Sequence, residues 1–307
     1  MRRSRLMIVR VLLGIQAHAM VPDLLDIIDD WRPDVLLRDF LEYGGLVAAE
    51  LRGIPHASTG PIHFQPPDVY AATLEGLATL RASFDLPPDP DGASMFRYLV
   101  LAPLPRRWVP PDATVPPTMH FLRPEPFNAS GDERLPAAVT TLPSDRPLVH
   151  ASLGTINNDV PGVYEAILAG LRKEPLNLVL TIGRERDVAD FGPQPATVII
   201  ERYVPHELLL PRCDAMLTHC GFNSIMACLT LGLPMVGVPI TADQPRNAQR
   251  LAELGAAVIV HADDRTPEAF RAATSEVLAN PSYRRSAEAL RDEIVAMPGS
   301  ELGVTLL

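Results

Sequence analysis

From Pro147 onward, short apolar runs alternate with segments whose apolar residues recur at helical spacing. PLVHASLG precedes VYEAILAGL, LNLVLTIG precedes a polar turn, and ATVIIERYV precedes ELLLPRC. DAMLTHCG then leads to SIMACLTLG, LPMVGVPI to QRLAELG, and AAVIVHA to a long helical tail. Runs apolar at consecutive positions suit strands buried on both faces, and such strands need covering helices. The repetition predicts an α/β, Rossmann-like fold with a parallel sheet of about six strands. Before Pro147 the rhythm is partial. RPDVLLRDF, IPHASTG and RYLVLAPL read as strands, and GGLVAAELRG and DVYAATLEGLATLRASF read as helices. The first half therefore begins partway through its own sheet.

Proline marks the joints. The stretch Pro103 to Pro126 is too rich in proline for continuous helix and reads as linker-like, and a quiet zone from Asn128 to Arg146 follows. We expect a partial first domain over residues 1–126, a linker over 127–146 and a second domain over 147–307. A chain of 307 residues with 47% apolar content can bury a substantial core. Its net charge of -10, with Lys173 the single lysine, argues against a nucleic-acid partner, because phosphate backbones are held by clustered basic residues. Cys213, Cys220 and Cys228 are an odd set whose spacing fits neither a disulfide framework nor a common zinc site. The apolar run Leu6 to Ile15 is broken by Arg10 and is too short to span a bilayer, so a cytoplasmic chain without stable membrane insertion is expected.

The chemistry concentrates in loops that follow strands. In THCGFNS, His219 falls at the carboxyl end of a strand, where open α/β sheets bind ligands. Gly221 permits a tight turn, and Asn223 or Ser224 can cap the helix that follows. A helix start with an imidazole beside it suits a diphosphate; a capped helix with a locally satisfied histidine is the plainer reading. Asp243 and Gln244 together offer acceptors and donors for vicinal sugar hydroxyls, or else cap a helix. Ser152, Gly154 and Thr155 close the first strand of this half and can approach a phosphate. In RYVPH, Tyr203 can lie against a base, with Val204 and His206 alongside.

The ordered set SLGT, RYVPH, THCGFNS, GLPMVGVP and DQPRNAQRLAELGAA resembles the GT-B fold, nucleotide-sugar-dependent glycosyltransferases of the family that includes plant secondary-product and bacterial macrolide and polyketide enzymes. The resemblance implies two Rossmann-like domains facing a cleft, the first of them incomplete. It implies that Thr155 contacts donor phosphates, that His219, Gly221, Asn223 and Ser224 hold the diphosphate, and that Asp243 and Gln244 bind the transferred sugar. Tyr203 stands where the plant motif has a base-stacking Trp, and His206 where it has Gln, which leaves uracil or thymine open. Ala227 stands where that motif has a ribose-binding Glu.

WRPDVLLRDFLEYGGLVAAELRGIPH resembles the middle of the family's acceptor domain, in which Asp39 matches an acid that orients a catalytic His; by itself Asp39 also reads as the cap of the helix near Gly44. The family's Gly-His-x-x-Pro base segment is not found. By the resemblance, Met1 to Asp30 is middle sequence and roughly a hundred residues would precede it. His18, followed by Pro22, is a weak substitute base and better suits a structural role. The implied reaction is inverting transfer of a hexose from a UDP- or TDP-sugar co-substrate to a hydroxyl of a small hydrophobic acceptor, without a metal. The acceptor is expected near Asp39, His56 and His63, although these histidines read more readily as structural. A lipid or cell-wall transferase and a catalytically impaired nucleotide-sugar-binding protein are the alternatives. A Rossmann oxidoreductase is disfavoured because no G-x-G-x-x-G follows a first strand.

Overall fold

The structure, a computed structural model, describes residues 9–60, 64–126, 133–155 and 160–307. It divides into two compact units, Met1–Arg123 with Met297–Leu307, and Pro124–Ala296.

In the first unit, β1 (Leu36–Asp39), β2 (His56–Thr59), β3 (Leu99–Ala102) and β4 (Met119–Phe121) form a parallel sheet in that order. Helices α1 (Ala17–Trp31), α2 (Gly44–Arg52) and α3 (Pro67–Ser83) belong to the same unit. The strands β1 to β3 and the helices α2 and α3 fall on the expected segments. β4 does not, because it lies inside the proline-rich stretch read as a linker, and its three residues pair with Val100 to Ala102. A π-helical turn, Leu12–Gln16, leads into α1. From Val9 on, the apolar run that reads as too short to span a bilayer continues into a helical stretch, Val9–Trp31, which by length and composition alone could cross one. One side of it is packed, with Leu13, Ala17 and Val21 buried in one cluster with Leu46, Val47, Leu77 and Leu80, while Ile15, Ile27 and Trp31 are exposed.

A buried ion cluster ties this unit together. The Glu50 carboxylate of α2 is paired with the Arg81 guanidinium of α3 and, at 2.9 Å, with Arg97. Arg81 Nε also donates to the Pro87 carbonyl at 2.9 Å. Glu50 and Arg81 are 6% and 4% exposed, so removing one partner strands the other's charge away from water. Glu50→Ala is expected to destabilise the protein by about 3–5 kcal/mol, read from urea or thermal unfolding; a change near zero would show that the cluster adds nothing.

In the second unit, β5 (Leu148–Ser152), β6 (Asn177–Thr181), β7 (Val198–Glu201), β8 (Ala215–Thr218), β9 (Met235–Gly237) and β10 (Ala257–Ile259) form an all-parallel sheet in the order β10-β9-β8-β5-β6-β7. Every residue of β5, β6, β8 and β9 is buried, as continuous apolar runs require. The helices are α4 (Val163–Leu171), α5 (Phe222–Leu229), α6 (Gln244–Glu253), α7 (Pro267–Ala279) and α8 (Pro281–Ala296). Their core joins Tyr164 and Ile167 of α4 and Phe270 of α7 to Leu178, Leu180 and Leu217 of the sheet. The chain winds outward from β5 through β6 to β7, then returns to the other side of β5 with β8. The carboxyl ends of β5 and β8 therefore form the topological switch point. The last helix, α9 (Ser300–Leu306), was expected to continue the second domain but belongs to the first unit, where Pro298 accepts a backbone bond from Arg123 at 2.7 Å.

Candidate functional site

Ser152 pairs with Thr218 in the β5–β8 ladder, so the loops after these strands leave the sheet side by side. Gly154 has φ 86°, and a Cβ there would come within 2.6 Å of His219 Nε2; a Cβ on Gly221 would approach the same atom more closely still. The imidazole of His219 thus lies against both loop backbones, at positions that admit no side chain. Gly221 itself has φ -66°. The positive φ of the turn sits instead at Cys220, φ 65°. Gly221 is required for space beside the imidazole and not, as expected, for the turn.

The capping expectation is also corrected. Helix α5 begins at Phe222 with Gly221 as its cap residue and no side-chain cap bond; Asn223 and Ser224 lie within its first turn. Ile225 N–H is bonded to Gly221 O at 3.0 Å, and the amides of Asn223 and Ser224 precede that bond, in the turn where a helix supplies no acceptor of its own. Burial pushes the His219 pKa down to about 4, against the opposite pull of Asp243. Its Nδ1 is buried without a well-formed hydrogen bond, although the Ser152 carbonyl is near enough to favour the protonated ring. Ser152 is buried, Thr155 is exposed, and Ala227 is buried in α5.

Asp243 is the cap residue of α6, but its side chain makes no cap bond. Its Oδ2 accepts from Asn247 Nδ2 at 2.7 Å, and Asn247 Nδ2 also donates to Cys220 O at 3.0 Å. Gln244 turns its Oε1 back to accept from Ile240 N and Thr241 N at 2.9 and 2.8 Å, which leaves its NH2 donors as the part available to a ligand. Arg265 donates to Pro239 O at 2.7 Å and holds the start of the same loop.

After β7, Tyr203 is 54% exposed and Val204 is buried. His206 opens a short helix, His206–Leu209, and its Nε2 lies 3.2 Å from Nε2 of the fully buried His150 on β5. His150 Nδ1 lies 3.0 Å from Val179 O and must be the protonated nitrogen there. His150 Nε2 is then an acceptor, which makes His206 the donor through its Nε2–H. Burial depresses both, His150 to about 3, and each is therefore held neutral.

In the first unit, Asp39 ends β1 and its Oδ1 accepts from Leu41 N at 2.8 Å. It does not cap α2; Glu42 does, with both carboxylate oxygens within 2.9 Å of Gly45 N. The buried Arg38 donates to the carbonyls of Asp39, Phe40 and Glu42 and so fixes this turn. His56 is buried, pushed down to about 4 by burial, and edge-on to Tyr98. Both ring nitrogens of His18 are engaged, Nδ1 at 3.0 Å from Leu13 O and Nε2 at 3.1 Å from Ser83 Oγ, which ties α1 to α3. His63 lies outside the described residues. His150, Arg38 and Asn247 were not singled out in the sequence. For the first two the signal was a lone polar residue inside an apolar strand.

The family model "Erythromycin biosynthesis protein CIII-like, C-terminal domain" matches residues 166–304. The chain is 33% identical over 186 residues to 4'-demethylrebeccamycin synthase of Lentzea aerocolonigenes, covering 61% of this chain and 44% of that protein. It is 29% identical over 302 residues to 10-deoxymethynolide desosaminyltransferase of Streptomyces venezuelae, covering 91% and 68%. The crystal structure of the glycosyltransferase VinC in complex with DTDP aligns with a TM-score of 0.75 at 25% identity, over 98% of this chain and 78% of that one. The fold is that of GT-B glycosyltransferases. Over residues 166–304 the chain matches the C-terminal domain model of that family, and it is similar to bacterial macrolide and polyketide glycosyltransferases. It spans less than half the length of the first of these relatives.

Two outcomes follow from the buried imidazoles. His56, His150 and His219 are neutral in the fold, whereas the unfolded chain takes up protons below about pH 6.5. Stability is fully present above that value and is expected to fall steadily toward about pH 4; a melting temperature unchanged across that window would contradict their burial. Gly154→Ala is expected to cost about 1–3 kcal/mol and to move the His219 ring toward water, with its NMR-titrated pKa rising toward the ordinary value.

Proposed function

We propose that the chain transfers a hexose from a UDP- or TDP-sugar to a hydroxyl of a small hydrophobic acceptor, in the cytoplasm, with inversion at the anomeric carbon. The observation that carries the reading is the imidazole of His219 set between Gly154 and Gly221 at the switch point, beside the first turn of α5. The diphosphate is held there by the His219 ring and the α5 amides, with Ser152, Gly154 and Thr155 on the neighbouring loop. As the glycosidic bond breaks, negative charge grows on the diphosphate, and donors already in place stabilise it without reorganising. Asp243 accepts from the sugar's hydroxyls and Gln244 donates to them through its NH2. The exposed ring of Tyr203 stacks on the base, with Val204 and His206 beside it.

Asp39 serves as the orienting acid of the acceptor half, and Arg38 holds the turn that carries it. His18 is not offered as the base, because both its nitrogens are engaged within its own unit. The acceptor class is supported by what the name of one relative states, a desosaminyltransferase of 10-deoxymethynolide.

The test is calorimetric titration with UDP, TDP, UDP-glucose and TDP-glucose, followed by transfer assays on hydrophobic hydroxylated acceptors. His219→Ala is expected to lower kcat by about 100- to 1000-fold and to weaken diphosphate binding. Asp39→Asn is expected to lower kcat with little change in donor KM. NMR of the product should show the anomeric configuration inverted relative to the donor. A folded chain that binds none of these nucleotides would sink the donor-site reading.

A further inference from the structure

Asn247 lies one helical turn beyond Asp243 on α6 and is 8% exposed. Its Nδ2 carries two hydrogens, and both are used, one on Asp243 Oδ2 and one on the Cys220 carbonyl. A single nitrogen therefore holds the loop after β9 to the loop after β8.

What it holds on the β8 side is a strained peptide. Cys220 has φ 65°, a conformation that a residue with a Cβ keeps only where its surroundings enforce it. Its own N–H reaches only Thr218 Oγ1, at 3.3 Å, and its Sγ lies 3.6 Å from Thr218 O. Its carbonyl is fixed by Asn247. The peptide that follows is trans, so its C=O and N–H are antiparallel. Holding Cys220 O toward Asn247 thus directs Gly221 N–H the opposite way, at the entry to α5. On the other side, the same amide fixes one oxygen of the Asp243 carboxylate, which in turn favours the protonated His219 ring. Acid, amide, peptide and imidazole form one connected group drawn from two loops.

We propose that Asn247 is a positioning residue that sets the diphosphate loop and the sugar-binding acid in register, so that an ordered leaving-group site and an ordered sugar site come as a pair. The proposal rests on the donor-site reading above. Asn247 acts through Cys220 and Asp243 and has no direct contact with the donor.

The experiment measures TDP and TDP-glucose affinities by calorimetry on the wild-type chain and on Asn247→Ala, Asn247→Asp, Asn247→Ser and Asp243→Ala, each checked for folding by circular dichroism. Asn247→Asp is isosteric but has no N–H to give and sets a second carboxylate beside Asp243. It and Asn247→Ala are expected to weaken TDP by about tenfold or more and to erase the added affinity of the sugar. Asp243→Ala is expected to erase only that added affinity. Asn247→Ser, with one hydroxyl proton, keeps a buried polar group and is expected to fold even where the others do not; it should recover at most one of the two effects. Asn247 variants that melt earlier but bind both ligands like wild type would show a purely structural residue and overturn the proposal. Loss of the sugar increment with TDP affinity intact would overturn the coupling. A folded wild-type chain that binds neither TDP nor TDP-glucose overturns the donor-site reading and this proposal together, whereas wild-type binding with unchanged Asn247 variants overturns this proposal alone.

Discussion

The second unit depends on β5 having β8 as its second neighbour. A strand that pairs only with the next in sequence makes a one-directional sheet whose loops follow each other along one edge. Here the ladder returns across β5, with Val149, His150, Ala151 and Ser152 paired to Ala215, Met216, Leu217 and Thr218. Two strand ends distant in sequence become adjacent, and the segments that leave them part, as at any switch point of an open α/β sheet. The polar groups of the loops after β5 and β8 take their positions from that pairing. Ser152 and Thr218 are opposite each other, Gly154 and Gly221 face one imidazole between them, and α5 starts where Thr218 ends its strand.

Placing polar groups at the end of an apolar sheet carries a desolvation cost, and the protein limits it by keeping the imidazoles neutral. His150 and His206 share one hydrogen bond whose direction is set by Val179 O, so neither needs a charge to be satisfied. His219 is neutral as well, yet Asp243 pulls it the other way. A dianionic ligand would add to that pull. The low local polarity that depresses these rings also strengthens any hydrogen bond they give to an anion.

Much of this architecture was legible because strands covered on both faces must be apolar at nearly consecutive positions, and LVHAS, NLVLT and AMLT each read as such a run. β4 was not, because a three-residue strand between prolines carries no periodicity to detect. Asn223 and Ser224 look like caps from composition, but the residue that caps α5 is decided by where His219 needs room, a contact local propensity does not encode. His150 and Arg38 were visible as lone polar residues in apolar strands, but their partners, His206 and the carbonyls after β1, lie where the folded chain brings them. Asn247 is the clearest case. Its spacing of one turn from Asp243 was in the sequence, whereas its bond to Cys220 joins residues that only the β8–β9 crossover makes neighbours.

Both units solve one local problem in the same way. A strand that ends in a loop before a helix leaves unpaired backbone N–H groups, and a nearby acid is the natural acceptor. If Asp39 or Asp243 filled that role, its carboxylate would be spent. In the first unit Glu42 takes the Gly45 N–H with both oxygens, and Arg38 gathers the carbonyls of the turn, so among the described residues Asp39 answers only Leu41 N. In the second, Gln244 takes Ile240 N and Thr241 N, so among the described residues the Asp243 carboxylate answers only Asn247. A second polar side chain three residues on in one loop, and adjacent in the other, carries the backbone's demand. The acid keeps an oxygen to offer because its neighbour takes the loop's backbone N–H groups.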